Sequence, residues 1–304
     1  MHGNDLVAAT HGRSFWILDD ITPLRQAQAG EPSPVLYSPE NAVRLYYPGE
    51  VSKRRPVGEN PPAGAIIDYV LDAAPSSELT IDILDAKGQQ VRHLSSTKTD
   101  KEIQPQEWPD KVLPSELIPA HAGMNRMIWD LRWDDPVQIP GAFYEDQAPR
   151  GPIVPPGRYQ VRLTLGSVTR SANLTVVADP RGGNSEAAIA AKTALALATV
   201  HDIDALHRAV NDIRAERAKL KGASASKGRD AKLQVIEQAL MQVNMNGSEA
   251  GLAFPGMLNE QLASFASTLE DADTPPTQQQ QALYQSLHEK LENQLSRWRE
   301  LKPK

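Results

Sequence analysis

Three absences define the chain first: it has no cysteine, no long apolar run and no excess of positive charge. Without cysteine, disulfides, cysteine-based zinc sites and thiol nucleophiles are excluded. No stretch approaches the ~20 apolar residues that a membrane-spanning helix needs. The 38 Asp and Glu residues outnumber the 32 Lys and Arg residues, which gives a net charge of −6. This balance argues against a nucleic-acid-binding protein, which normally presents a basic face.

The opening residues also lack a signal peptide. Residues 1–5 have neither the basic region nor the apolar region that such a peptide requires. We therefore expect either a cytoplasmic protein or a chain whose first residue is not the natural start of an exported polypeptide. The length of 304 residues predicts about two domains, because a domain usually has ~150 residues.

The first 62 residues contain two apolar runs followed by a proline-rich stretch. In residues 1–21, two apolar runs flank His11 and Gly12, a pattern that predicts a β-hairpin with a tight turn. Residues 22–62 are rich in proline and show no sustained periodicity. Because proline has no backbone N–H, we expect this stretch to be a linker that wraps over a surface rather than forming β-ladders.

The middle of the chain, residues 63–181, has the pattern of β-strands. Apolar and polar residues alternate at 79–83 and at 159–165, and further strands are predicted at 124–133 and 172–177. A turn is predicted at 85–88, where Gly88 is free to take a positive φ. Several short strands without intervening helices predict an antiparallel immunoglobulin-like β-sandwich.

Residues 182–304 have the pattern of helices. Apolar residues recur at spacings of three and four in four segments, the first of which runs through residues 203, 206, 210 and 213. The last segment begins where Thr277 and Gln280 fit a capping box. We expect the four segments to pack as an antiparallel helical bundle. The predicted fold class is therefore multidomain β + α, with a sandwich at 63–181 followed by a bundle at 182–304.

No group of polar residues has the pattern of a catalytic or metal site. Neighbouring residues on a strand point to opposite faces, and acidic residues beside proline or glycine usually form turn hydrogen bonds, which argues against a glycosidase carboxylate pair. The acidic residues considered are Asp19, Asp20, Asp130, Asp134, Asp135, Glu145 and Asp146. None of the seven histidines forms a His-x-x-x-His or His-Glu-x-x-His pair. We predict no catalytic residue, no metal ligand and no cofactor.

Two tryptophans are the candidate ligand-binding residues. Trp129 and Trp133 lie four positions apart, so on one strand both rings would stand on the same face and form a surface for sugar stacking. The alternative is that both rings fill the sandwich core. We favour the core, because a tryptophan side chain buries a large apolar area.

Residues 5–25 resemble the closing strands of the propeller in large secreted proteins of the sortilin-type, BNR-repeat "glycosyl hydrolase" family. The resemblance rests on Thr10-His11-Gly12-Arg13 and on Trp16-Ile17-Leu18-Asp19-Asp20. A propeller blade has four strands and this stretch supplies about two, so residues 1–21 are expected to be the remnant of a last blade. The Asp-box motif of such repeats, Ser-x-Asp-x-Gly-x-x-Trp, does not occur in this chain.

The β region resembles the immunoglobulin-like domains of the flagellar hook-capping and C-terminal sorting type. The matching stretches follow one another along the chain at residues 83–92, 123–131, 156–159 and 178–181. The helical region, including residues 255–259 and 272–277, looks like the tail of the same propeller family. The resemblance therefore extends over nearly the whole chain.

The resemblance implies an exported parent protein, extracellular or periplasmic, with one or two propellers N-terminal to this region. For this chain it implies a non-catalytic accessory or scaffold role, with the propeller domain as its partner. One alternative is a carbohydrate-active hydrolase whose active site lies on the propeller, with this region contributing a cleft wall or a sugar-binding face. Another is a sortilin-like module that binds a protein ligand.

Overall fold

The computed structural model describes residues 3–45, 63–97, 117–144, 148–220, 227–245 and 247–303. Within these ranges the chain is mixed α/β, with three sheets, one of them a curled five-stranded half-barrel, and a helical C-terminal region. The predicted fold class, an antiparallel immunoglobulin-like sandwich followed by an antiparallel helical bundle, is therefore wrong.

The described residues form ten strands, of two to eleven residues each. They are β1 (Leu6–Ala9), β2 (Phe15–Leu18), β3 (Val35–Leu36), β4 (Ala42–Arg44), β5 (Ala65–Leu71), β6 (Leu79–Asp85), β7 (Gln90–Ser95), β8 (Gly123–Trp129), β9 (Gly157–Leu165) and β10 (Val168–Ala178). They form the two-stranded sheet β1-β2, the five-stranded sheet β4-β10-β9-β6-β7 and the three-stranded sheet β3-β5-β8.

One strand pairing accounts for much of the departure from the predicted sandwich. In the five-stranded sheet, β4 runs parallel to β10, with Val176 opposite Ala42. Both β3 and β4 come from the proline-rich stretch, in which no ladder was expected. A strand of two or three residues is too short to show alternation, and its partner is distant in sequence, so the local pattern carries no sign of it.

The alternating runs themselves are confirmed as strands. The apolar positions of β6 and β9 face inward, and Ile81, Ile83, Val161 and Leu163 are fully buried. The predicted turn after β6 is also confirmed, since Gly88 has φ +79° and its N–H donates to the carbonyl of Asp85 at 2.9 Å. Burying one face of a strand in this way is what fixes its register.

The helices are α1 (Thr22–Gln26), α2 (Glu186–Leu220), α3 (Lys227–Leu240), α4 (Leu258–Leu269) and α5 (Gln278–Leu301), with a 3-10 helix at Ser248–Leu252. The predicted capping box at the start of α5 is confirmed: the Thr277 hydroxyl accepts from the Gln280 N–H, and the Gln280 side chain accepts from the Thr277 N–H. Among the described residues, no helix is long and apolar enough to cross a membrane.

The chain divides into two compact units, each with its own core. Among the described residues, the first unit contains those within Met1–Thr99, Ser115–Trp133 and Ile153–Glu186, and the second contains those within Asp134–Pro152 and Ala187–Lys304. Residues Asp134–Pro152 lie between β8 and β9 in chain order, yet they belong to the helical unit. Within that unit, Ile139, Ala142 and Tyr144 are part of the core formed by the helices.

Candidate functional site

The site that the structure singles out is the hairpin formed by β1, β2 and the turn between them. The strands pair antiparallel from Leu6 opposite Leu18 to Ala9 opposite Phe15. The turn spans five residues, in which the Thr10 N–H donates to the Ser14 carbonyl at 3.1 Å and Gly12 takes φ +81°. The predicted hairpin is thus confirmed, with a longer turn than expected.

Every strand residue of the hairpin is exposed. Phe15, Trp16 and Ile17 keep 74%, 66% and 62% of their surfaces accessible, and Leu6, Val7 and Leu18 keep more than two fifths of theirs. With ~150–250 Å² for one aromatic side chain, the six large apolar side chains expose on the order of 600 Å² together. These side chains point to both faces of the hairpin, so each face exposes roughly 300 Å², which is within the range of the largest patch on a typical monomer, and such patches often mark interaction sites.

Both faces of the hairpin are apolar. Side chains alternate across a strand, so Leu6, Trp16 and Leu18 share one face while Val7, Phe15 and Ile17 share the other. A half-buried strand would alternate apolar with polar residues, whereas a strand covered on both faces is apolar throughout. The hairpin therefore has the composition of a strand pair with other protein layers on both faces.

An ion pair with a buried carboxylate and a partly exposed guanidinium fixes the base of the hairpin to the first unit. Asp68 on β5 and Arg126 on β8 are cross-strand partners, joined by two hydrogen bonds of 2.8 and 2.9 Å. Two further guanidinium N–H groups of Arg126 donate to the carbonyls of Asp19 and Asp20 at 2.7 and 2.9 Å. Arg126 therefore holds the chain where it leaves β2, so the hairpin is attached firmly at one end and uncovered along its length.

Sequence reasoning missed the anchor of the hairpin, the Asp68–Arg126 ion pair, although one signal for it was present. Asp68 lies in an otherwise apolar strand and is only 2% exposed. A buried carboxylate needs a charged or hydrogen-bonding partner, so an acidic residue inside an apolar run predicts a basic residue on a neighbouring strand. The identity of that residue depends on the β5-β8 register, which the sequence does not reveal.

The two candidate tryptophans do not lie on one strand. Strand β8 ends at Trp129, and the chain then turns at Leu131, which has φ +60°. Trp129 is 1% exposed, its indole N–H donates to the Arg132 carbonyl at 2.9 Å, and its ring packs edge-on against Tyr159. Trp133 is half-buried against the same core. Its indole nitrogen has no hydrogen-bond partner among the described residues.

Three of the acidic residues that were considered for catalysis accept backbone hydrogen bonds. Asp20 accepts from the Thr22 N–H and Asp130 from the Arg132 N–H, both within turns, and Asp135 accepts from the Gly151 N–H, sixteen residues away. Glu145 and Asp146 lie outside the described residues. Among the residues that are described, no group of three or more His, Asp or Glu side chains could hold a metal ion.

A groove lies in the helical unit, between α3, α4 and α5. This groove has a volume of about 590 Å³ and is lined by Ala239, Met257, Leu258, Gln261, Ser286, Glu289, Lys290, Asn293 and Gln294. Its charges are one acid and one base on the same helix, and no carboxylate pair or His converges on it. The groove therefore gives no indication of a reaction class.

Comparison of the chain with models of protein families and with curated proteins finds no match. The family resemblance of the hairpin, the β region and the helical tail therefore stays a prediction.

Proposed function

We propose that this chain is a non-catalytic accessory region of a larger exported β-propeller protein, and that its hairpin is completed by β-structure from the rest of that polypeptide. The observation that carries the proposal is the hairpin, which is apolar on both faces and exposed on both. A layered β-structure covers both faces and can also pair with the free edges, which otherwise invite association with other chains.

The energetics favour a partner in the same polypeptide. Covering on the order of 600 Å² of apolar surface is worth up to about 15 kcal/mol at ~25 cal/mol per Å². A separate protein loses about 4–15 kcal/mol of that gain as translational and rotational freedom. A covalently linked partner avoids most of this loss, because linkage raises its effective concentration. A sortilin-like module would instead use the same hairpin for a separate protein ligand.

The decisive experiment measures the size and the cellular location of the polypeptide that carries this chain in the organism that makes it. An antibody raised against the purified chain is used on cell extract, periplasmic fraction and culture medium. The proposal predicts a polypeptide far larger than 33.3 kDa, outside the cytoplasm. A single cytoplasmic band near 33.3 kDa would overturn both the accessory role and the exported location.

The non-catalytic part of the proposal is tested on the isolated chain. Because the side chains of Asp20, Asp130 and Asp135 already accept hydrogen bonds from backbone N–H groups, we expect no turnover of a panel of aryl glycosides and β-glucans. Turnover that is abolished by one Asp→Asn or Glu→Gln substitution would show that the chain has an active site of its own.

A further inference from the structure

The three-stranded sheet is apolar on both of its faces. Its inner face contributes Ile67, Tyr69 and Trp129 to the core of the first unit. Side chains alternate across a strand, and directly opposite residues of paired strands lie on the same face. The opposite face, the outer sheet face, consists of the remaining paired residues: Ile66 and Ile128, Asp68 and Arg126, Val70 and Met124, and Val35. Five of these seven side chains are apolar.

This composition is typical of a sheet that lies between two layers. An antiparallel sheet with one face in water alternates apolar with polar residues. On the outer sheet face, Met124 and Ile128 are instead 47% and 38% exposed. Val35, Ile66 and Val70 are half-buried. The outer sheet face therefore exposes apolar surface that a second layer would cover.

The outer sheet face borders the hairpin. Arg126 lies on this face between Met124 and Ile128, two residues from each, which is about 7 Å along a strand. The same side chain donates to the carbonyls of Asp19 and Asp20, where the chain leaves β2. The base of the hairpin is therefore fixed on the outer sheet face, and the two exposed apolar surfaces adjoin at Arg126.

The hairpin by itself is small for an interface. A standard interface removes ~800 Å² from each partner, whereas the hairpin exposes on the order of 600 Å² of apolar side chain on its two faces together. A partner that extends past the base of the hairpin reaches Met124 and Ile128, and the buried area then approaches the standard value. The area therefore favours one interface that includes both surfaces.

We propose that the β-structure that covers the hairpin also packs on the outer sheet face, so that the hairpin and this face form one interface with the rest of the polypeptide. This proposal rests on the function proposed for the hairpin, because one layer covers both surfaces. The complementary surface is an apolar β-layer, since Met124 and Ile128 offer it no polar group. Asp68 and Arg126 are already paired with each other, so no charge is required of the partner.

Oxidation of methionine by dilute hydrogen peroxide tests the interface, since exposed methionines form the sulfoxide fastest. The isolated chain is compared with the native polypeptide purified from its producing organism. Met127 is the internal reference, because it lies on the same strand and is 8% exposed, and cleavage by trypsin after Arg126 separates it from Met124. Covering Met124 to the level of Met127, from 47% to 8% exposed, should lower its oxidation rate about sixfold in the native polypeptide, with Met127 unchanged.

A charge variant tests whether the two surfaces are covered together. Met124→Lys combined with Ile128→Lys places two charges where the layer would bury them, which is costly for unpaired charges. In the isolated chain both positions are exposed, so the midpoint of urea unfolding should stay close to the wild-type value. In the native polypeptide, hydroxyl-radical labelling of Trp16 should rise towards its level in the isolated chain. Val235→Lys combined with Leu283→Lys is the matched control, because these apolar residues of the helical unit are 51% and 49% exposed, and it should leave the labelling of Trp16 unchanged.

The outcomes separate this interface from the function proposed for the hairpin. Protection of Trp16 with equal oxidation of Met124 in the two samples would overturn the interface and leave the proposed function standing. Equal labelling of Trp16 in the two samples would overturn the proposed function and the interface with it. Unchanged protection of Trp16 in the double-lysine variant would show that the hairpin is covered without the outer sheet face, and would also overturn the interface.

Discussion

The hairpin and segment 137–144 differ in their surroundings: the hairpin is exposed, whereas the segment is bonded to the helical unit. The hairpin carries six large apolar side chains and leaves them exposed, while Arg126 holds the hairpin at its base. Segment 137–144 carries backbone polar groups and a tyrosine hydroxyl, and the helical unit bonds them along α2. The comparison shows that burial of a segment depends on the partner groups that the surrounding protein provides. The hairpin is the more apolar of the two segments, yet it is the exposed one.

The largest effect should come from breaking the anchor of the hairpin. Arg126→Ala leaves Asp68 buried without its charged partner, and removing one member of a buried ion pair costs about 3–5 kcal/mol. Because Arg126 is itself one-third exposed, we expect about 3 kcal/mol in urea unfolding of the first unit. Arg158→Ala, at an exposed arginine on β9, is the control and should have little effect. Equal losses in the two variants would show that the ion pair is not the anchor.

Two variants with smaller expected losses of stability should distinguish the two units. Tyr144→Phe removes a hydroxyl that bonds His207, and Tyr159→Phe removes one that donates to the Pro155 carbonyl at 2.7 Å. Each loss should cost about 1–2 kcal/mol, because a buried partner is left unsatisfied. Hydrogen exchange should place the first loss in the helices and the second in the five-stranded sheet. A loss spread over both units by either variant would contradict their description as separate cores.

Much of the β region and of the helices could be predicted, because their signals are local. Alternation revealed β6 and β9, and the Thr277 capping box marked the start of α5. Strands β3 and β4 were missed because two or three residues show no period, and the parallel pairing of β4 with β10 joins residues far apart in sequence.

The attachment of segment 137–144 was missed for a different reason. Its residues have a loop composition, and only the side chains of α2 decide where they lie. One signal was available: His207 falls within the apolar stripe at 203, 206, 210 and 213, and a polar residue in such a stripe is expected to be buried with partners. The base of the hairpin has the same logic, because Asp68 is a buried charge whose partner lies 58 residues away.

The smallest change in stability should come from removing the hairpin itself. Deletion of residues 1–18 leaves Asp19 and Asp20 on Arg126, so the free energy of unfolding should change by at most about 1 kcal/mol, since an isolated two-stranded hairpin is marginal in water. Self-association, measured by sedimentation velocity, should decrease.

A milder variant separates the apolar surface from the backbone of the hairpin. Phe15→Ser combined with Trp16→Ser and Ile17→Thr should reduce self-association as the deletion does. Leu24→Ser is the matched control, because Leu24 is 67% exposed but lies outside the hairpin, and it should leave association unchanged. A loss of more than about 3 kcal/mol on deletion, comparable to a lost core side chain, would mean that the hairpin is integral to the first unit.

The central claim, that β-structure of the same polypeptide covers the hairpin, is tested most directly by hydroxyl-radical footprinting. Phe15 and Trp16 are labelled in the isolated chain and in the native polypeptide purified from its producing organism, with Leu24 as an internal reference. The account predicts strong labelling of both aromatic residues in the isolated chain and strong protection in the native polypeptide, with Leu24 unchanged. Equal labelling of Phe15 and Trp16 in the two samples would contradict it.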